Sequence, residues 1–231
     1  MRKLNPEEGI RLFDIHWETD TAGPSPNNNK RIEVFLLGCN KAIQGKPCKG
    51  CFNSVTWNKD KAEWSWDPIE LADMINEGCD PNNKYITIGG GEPTDQLDNL
   101  IPFAKRLKEH GFHIMMYTWR NVYRLLQEIE SLDNGCLGVL DGYKDIDHLK
   151  ARELFKYLDI VVDGEFIQEE CLYQQELGDG MLSSIGSGNQ RIWDIKAKNN
   201  NEDFQARFKM KDLIGLYIKP DTNDLVYITK N

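Results

Sequence analysis

Residues 84–93 read Lys84-Tyr85-Ile86-Thr87-Ile88-Gly89-Gly90-Gly91-Glu92-Pro93. The β-branched and aromatic run from Tyr85 to Ile88 is a strand signal, and three consecutive glycines with a proline close behind end it. Helical patterns lie on both sides. Downstream, Leu97, Leu100, Ile101, Ala104 and Leu107 mark one apolar face that Gly111 closes. Upstream, Asp67-Pro68 has the chemistry of an N-cap and first-turn proline, Ile69, Ala72 and Ile75 repeat at helical spacing, and Gly78 ends the helix. The pattern continues outward as strand Ile32 to Leu37, strand Phe112 to Thr118, helix Val122 to Leu132, helix Leu149 to Tyr157 and strand Leu158 to Val162. The last of these is an apolar run suited to burial on both faces. Such alternation predicts an α/β fold with right-handed crossovers and a parallel sheet, open or curled into a full or partial barrel. In either form the chemistry gathers at the carboxyl ends of the strands.

The C-terminal stretch has another character. Asn199-Asn200-Asn201-Glu202-Asp203 reads as a polar loop, and Leu213 to Ile218 with Leu225 to Thr229 reads as a hairpin around Pro220-Asp221-Thr222-Asn223-Asp224. Asn27-Asn28-Asn29 is a short polar turn. A chain of 231 residues suits one domain with a self-sufficient core. With 28 Lys and Arg against 37 Asp and Glu, and no basic block to follow a phosphate backbone, nucleic acid is not an expected partner. The first residues lack the apolar run of a signal peptide, and no run of about 18 apolar residues suggests a membrane span. The expectation is a soluble, cytoplasmic protein without a membrane partner.

Six cysteines in such a chain argue for thiolate or metal chemistry over a disulfide framework. Cys39, Cys48 and Cys51 follow the first parallel strand and have no fourth partner in their loop. A closed structural site takes four protein ligands, whereas a reactive centre keeps one position open. Three thiolates can hold three irons of a four-iron cluster and leave the fourth bare. The competing reading is a structural zinc site completed by Cys79 or a histidine, although zinc ribbons supply ligands as two matched pairs. Cys79, Cys136 and Cys171 read as small buried apolar residues. The glycine turn lacks both the Lys-Ser/Thr of a phosphate loop and a spaced GxGxxG. Consecutive glycines let backbone groups approach a ligand closely, which with a neighbouring carboxylate suits an amino acid headgroup.

Cys39, Cys48 and Cys51 beside Gly90-Gly91-Glu92-Pro93 resemble the radical S-adenosylmethionine superfamily. Gly38-Cys39, Cys48-Lys49-Gly50-Cys51-Phe52-Asn53 with Thr56-Trp57, Tyr117-Thr118, Val162-Asp163-Gly164-Glu165-Phe166 and Gly186-Ser187-Gly188-Asn189-Gln190-Arg191 are similar, in that order, to the anaerobic ribonucleotide reductase activating family. The likeness runs from about Gly23 to Ile195. It implies a partial (β/α) barrel over residues 1–195, with 196–231 as a C-terminal β-hairpin extension. It implies two cofactors, a 4Fe-4S cluster on Cys39, Cys48 and Cys51 and S-adenosyl-L-methionine. Gly50, Cys51 and Phe52 would meet the adenosine side, Gly90, Gly91 and Glu92 the methionyl amine, and Asp163 the cofactor or partner.

The implied reaction is reductive cleavage of S-adenosylmethionine and formation of a glycyl radical on a partner, anaerobic ribonucleoside-triphosphate reductase, with a donor such as flavodoxin supplying the electron. Such radical chemistry belongs to the cofactor, while the protein orients and shields it. Trp57, Trp64, Trp66 and Trp119 are candidates for a docking face, although core packing is the commoner role of such residues. One feature departs from the family pattern Cys-x3-Cys-x2-Cys: the eight residues Asn40 to Pro47 separate Cys39 from Cys48. Relatives that form 7-carboxy-7-deazaguanine also lengthen this interval, which keeps a small-molecule substrate as an alternative, and a zinc-binding interaction protein is a third. The stretch beyond Ile195 is also longer than the family pattern implies.

Overall fold

In a computed structural model the described residues are 1–19, 30–126, 146–172, 183–195, 213–218 and 225–229. Cys136, the turn at Asn27-Asn28-Asn29, the polar loop from Asn199, the Pro220 to Asp224 turn and the far half of the Val122 to Leu132 helix lie outside them. In chain order the elements are β1 (Lys3–Leu4), β2 (Leu12–Thr19), β3 (Arg31–Leu36), α1 (Asn40–Ile43), β4 (Ser65–Trp66) and α2 (Pro68–Gly78). Then come β5 (Tyr85–Gly90), α3 (Leu97–Glu109), β6 (His113–Thr118), α4 (Val122–Leu126), α5 (His148–Phe155), β7 (Ile160–Asp163), β8 (Arg191–Asp194), β9 (Leu213–Ile218) and β10 (Leu225–Thr229).

The central sheet runs β2-β3-β5-β6-β7-β8. Strands β3, β5, β6 and β7 are parallel and in chain order, with Ile32 opposite Ile86, Ile86 opposite Ile114 and Met116 opposite Val161. The edges differ from the all-parallel expectation. Strand β2 pairs antiparallel with β3, and β8 pairs antiparallel with β7. Both edge strands lie outside the strand–helix alternation, so that alternation predicted only the middle four.

Stepping always to the next position in one direction, right-handed crossovers put their helices on one face of the sheet. Ile32, Val34, Leu36, Ile86, Ile88, Ile114, Met116, Val161 and Trp193 form one core with Leu71, Ile75, Leu100, Phe103, Leu107 and Leu154 of the helices. Met115, Ile160, Val162, Ile185 and Ile192 form a second apolar cluster on alternate strand positions. Ile160, Val161 and Val162 are all buried, as their unbroken apolar run requires.

Helix ends follow their capping chemistry. Asp67 Oδ1 accepts the N–H groups of Ile69 at 3.0 Å and Glu70 at 3.2 Å, with Pro68 as the first helical residue. Ile69, read as part of an apolar face, instead points to solvent, as does Leu149, and Leu71 and Leu154 occupy the core. Strands β9 and β10 pair antiparallel, as the hairpin reading expects, with Leu225 opposite Ile218 and Thr229 opposite Leu213.

A buried cation sits on the sheet at the amino-terminal end of the strands. Arg31 is fully buried and donates to Thr87 Oγ1 at 2.8 Å, to the Ile86 carbonyl at 2.6 Å and to the His113 carbonyl at 3.2 Å. Its guanidinium also lies 3.4 Å from His113 Nδ1. Burial, then the Arg31 charge, holds the His113 imidazole down to about 3, so it stays neutral and accepts. The folded protein therefore resists a proton that the unfolded chain takes up near pH 6.5. Stability carried by neutral His113 is complete above pH 6.5 and is lost as pH falls from there toward 3. Urea unfolding at pH 7 and pH 5 is expected to show about 1 to 2 kcal/mol more loss in the native protein than in His113→Gln, which keeps an acceptor but has no proton to gain.

Candidate iron–sulfur and cofactor site

The cysteine loop leaves the carboxyl end of β3 and returns beneath itself. The Gly38 N–H donates to the Thr56 carbonyl at 2.8 Å and the Cys39 N–H to the Trp57 carbonyl at 3.0 Å, closing residues 39–57 into one unit. Within it the Cys51 N–H donates to the Cys48 carbonyl at 3.2 Å, a tight turn that needs Gly50 at φ +75°. Cys39 is buried, and Cys48 and Cys51 are partly exposed. Burial pushes the Cys39 thiol up to about 12 and the Cys48 thiol to about 11; Cys39 also feels Cys48, and Cys48 feels Cys51.

This loop is joined edge to edge with the glycine turn after β5. The Gly91 N–H donates to the Leu36 carbonyl at 2.8 Å and the Glu92 N–H to the Gly38 carbonyl at 2.7 Å. The contact leaves no room for side chains. A β-carbon on Gly91 would stand 2.1 Å from the Gly38 oxygen, and one on Gly90, at φ +96°, 2.5 Å from the Leu36 nitrogen. Gly89 has open space around it.

Glu92 is a hub within the protein. Its carboxylate is fully buried and accepts from Thr94 N–H at 3.1 Å, Thr94 Oγ1 at 2.6 Å, Thr118 Oγ1 at 2.8 Å and Trp119 N–H at 3.1 Å. Arg120 stands 3.5 Å away and also pairs with Asp95 at 2.8 Å. Burial raises the Glu92 carboxyl, and Arg120 with the hydroxyl donors pulls it back. The carboxylate thus ties the loop after β5 to the loop after β6.

Asp163 has the same role two strands further on. Although it ends a strand and precedes a glycine, it is fully buried. It holds Arg191 through two bonds, at 2.9 and 2.6 Å, and accepts the Val122 N–H at 2.7 Å. The Gly-Ser-x-Asn-Gln-Arg stretch is similarly inward-looking. Gln190 spans from the Gly164 carbonyl at 2.9 Å to the Gly186 N–H at 2.8 Å, and Asn189 donates to the Glu165 carbonyl at 2.7 Å.

The loop after β7 reaches back to the cysteines. The Cys48 sulfur accepts the Phe166 N–H. Phe52 and Phe166 rings lie 4.6 Å apart, Lys49 pairs with Glu169, and Lys41 with Glu165 at 3.1 Å. A β-carbon on Gly50 would meet the Gln168 side chain at 2.8 Å, and its φ of +75° disfavours any other residue. Loops following β3, β5, β6 and β7 are therefore joined at one rim of the sheet.

The remaining thiols do not complete this site. Cys79 caps α2, bonded to the Asn76 carbonyl at 3.3 Å and approached by Lys84 Nζ at 3.3 Å, at the end of the helix that leads into the start of β5. Cys171, expected to be buried, is exposed where its backbone bridges to Ser187. Among the described residues no three Cys, His, Asp or Glu side chains converge on a single ion. A cubane asks for a wider spacing, because each sulfur binds a different iron. Three thiols of one loop, with Cys39 and Cys48 desolvated enough to hold their protons until a metal displaces them, suit such a cluster. Trp57, Trp64, Trp66 and Trp119 are all partly buried, while Ile43, Phe52 and Val55 in the cysteine loop are 53%, 49% and 55% exposed.

Comparison with known proteins agrees with this geometry. Residues 28–193 match the model of the 4Fe-4S single cluster domain. An anaerobic ribonucleoside-triphosphate reductase-activating protein of Haemophilus influenzae is 29% identical over 172 residues, covering 72% of this chain and 88% of that protein. The protein of that name from Enterobacteria phage T4 is 25% identical over 171 residues, covering 71% and 83%. A pyruvate formate-lyase-activating enzyme of Streptococcus mutans is 29% identical over 125 residues, 49% of this chain and 44% of that one. The chain belongs to the 4Fe-4S single cluster domain family. Within it, this is an enzyme of the radical S-adenosylmethionine type, a glycyl-radical activase whose cofactors are a 4Fe-4S cluster and S-adenosylmethionine.

The close backbone contact makes a sharp contrast between neighbouring glycines. Gly91→Ala is expected to lose about 3 kcal/mol or more and to bind little iron after anaerobic reconstitution, whereas Gly89→Ala keeps native stability and iron content. Thermal unfolding together with iron quantification distinguishes the two.

Proposed function

We propose that this enzyme activates an anaerobic ribonucleoside-triphosphate reductase in the cytoplasm, drawing one electron from a donor such as flavodoxin. The observation that carries the reading is the joint between the cysteine loop and the glycine turn, with Glu92 N–H 2.7 Å from the Gly38 carbonyl and Gly91 N–H 2.8 Å from that of Leu36. Bound there, the cluster and S-adenosylmethionine supply a carbon-centred radical able to take hydrogen from a glycine of the partner.

In this reading Cys39, Cys48 and Cys51 hold three irons. The Gly90-Gly91 main chain receives the methionyl amine, with Glu92 holding that turn in place, its N–H on Gly38 and its carboxylate on Thr94, Thr118, Trp119 and Arg120. Gly50 keeps the last turn of the loop open, and half-exposed Phe52, braced by Phe166, offers an aromatic face to the adenosine. Asp163 acts as a positioning residue that anchors the loop after β7 through Arg191 and Val122. The partner's glycine loop approaches over Ile43, Phe52 and Val55, three exposed apolar side chains of the cysteine loop.

The sheet is read as a partial barrel of residues 1–195, with 196–231 as an extension. Sequential parallel strands, helices packed on one face and a separate apolar cluster on the other support this. A protein partner without nucleic acid or membrane fits the net charge of -9, and no helix among the described residues is long and apolar enough to cross a membrane.

The test is anaerobic reconstitution followed by reduction with S-adenosylmethionine present. Expected products are 5′-deoxyadenosine and methionine, and a glycyl radical by electron paramagnetic resonance once the reductase is added. Cleavage without any glycyl radical would contradict the assigned partner. Cys39→Ala, Cys48→Ala and Cys51→Ala should each abolish cleavage, by at least a hundredfold, whereas Cys79→Ala retains it within about twofold.

A further inference from the structure

The eight-residue interval between Cys39 and Cys48 is folded. Its first turn is helical, with the Ile43 N–H on the Cys39 carbonyl at 3.0 Å and the Gln44 N–H on that of Asn40 at 2.9 Å. The Asn40 N–H donates to Asp95 at 2.6 Å, and Asp95 pairs with Arg120, so the turn is bound to the loops after β5 and β6. Lys41, only 15% exposed, extends the other way. Its Nζ stands 5.4 Å from the centre of the Trp119 ring and 3.1 Å from Glu165 Oε1.

Glu165 directly precedes Phe166, whose N–H binds the Cys48 sulfur. A cation from the interval and a carboxylate from the loop after β7 therefore meet beside one cysteine. Lys49 and Lys59, also near this loop, are 75% and 40% exposed on their own ion pairs, where water and salt screen them. Lys41 is the least screened lysine of the three.

We propose that Lys41 and Glu165 set the reduction potential of the cluster from opposite sides. The inference rests on Cys48 being a cluster ligand. Reduction adds one electron and no bond is made or broken, so the cluster becomes more negative by one charge. A nearly buried ammonium beside a ligand stabilises that reduced form, and the facing carboxylate favours the oxidised form.

The experiment uses the full chain, reconstituted anaerobically, in native, Lys41→Met, Lys41→Arg and Glu165→Gln forms. Iron per chain is measured first, then the ratio of reduced to oxidised cluster by electron paramagnetic resonance at a series of fixed potentials. At a given potential Lys41→Met is expected to lower the ratio about three- to tenfold, tenfold being about 59 mV for one electron. Glu165→Gln raises it, and Lys41→Arg stays within about twofold of native. Because the ratio is read per cluster, partial loss of iron does not affect it, and Glu165→Gln tests the sign with Lys41 intact. Movement of both charge-removing variants in one direction, as a merely broken ion pair would give, overturns the proposal. So does an unchanged ratio in both. A native chain with no reducible cluster instead overturns the assignment of Cys48 beneath it.

Discussion

The site depends on a backbone contact too close for any side chain. Gly91 lies against the Gly38 carbonyl, and the amides of Gly91 and Glu92 bind the carbonyls of Leu36 and Gly38. Parallel register makes this possible, since Leu36 lies opposite Gly90 and both strands end together. From that joint, three cysteines hang on one side and a turn of small residues on the other. A cluster with an unliganded iron needs such a neighbour, because the cofactor must reach metal and protein main chain at once.

Two buried carboxylates stiffen the rest of the rim. Glu92 links the loops after β5 and β6, and Asp163 links β7, β8 and the start of α4. Removing one partner from a buried ion pair costs about 3–5 kcal/mol, far more than the pair gains over apolar packing. Their value here is orientation. Fixed donors around each carboxylate give the loops one arrangement, so the cysteine loop meets a preformed surface on the β7 side through Phe166, Glu165 and Glu169.

Much of this was legible in residue types and spacing. Apolar periodicity located β3, β5, β6, β7 and the helices between them, and Asp67-Pro68 marked the start of α2. The antiparallel edges were not legible, because β2, Leu12-Phe13-Asp14-Ile15-His16-Trp17-Glu18-Thr19, mixes charges with apolar residues as an edge strand does, and β8 is only four residues long. At the site, cysteine spacing and consecutive glycines announced close backbone chemistry. The inward direction of Glu92 and Asp163 was hidden, since it arises from Thr118 and Arg191 on other strands and from Arg120 in the loop after β6. Lys41 gave no local signal either; its partners Trp119 and Glu165 are more than 70 residues away, though both follow strands whose ends could be placed.

The central claim is a three-thiolate cluster whose fourth iron is left to the cofactor. Mössbauer spectroscopy of the iron-57 reconstituted enzyme, recorded without and with S-adenosylmethionine, addresses it most directly. The account predicts four irons per chain, one of which alone changes its isomer shift when the cofactor is added. Four equivalent irons unmoved by the cofactor would contradict it.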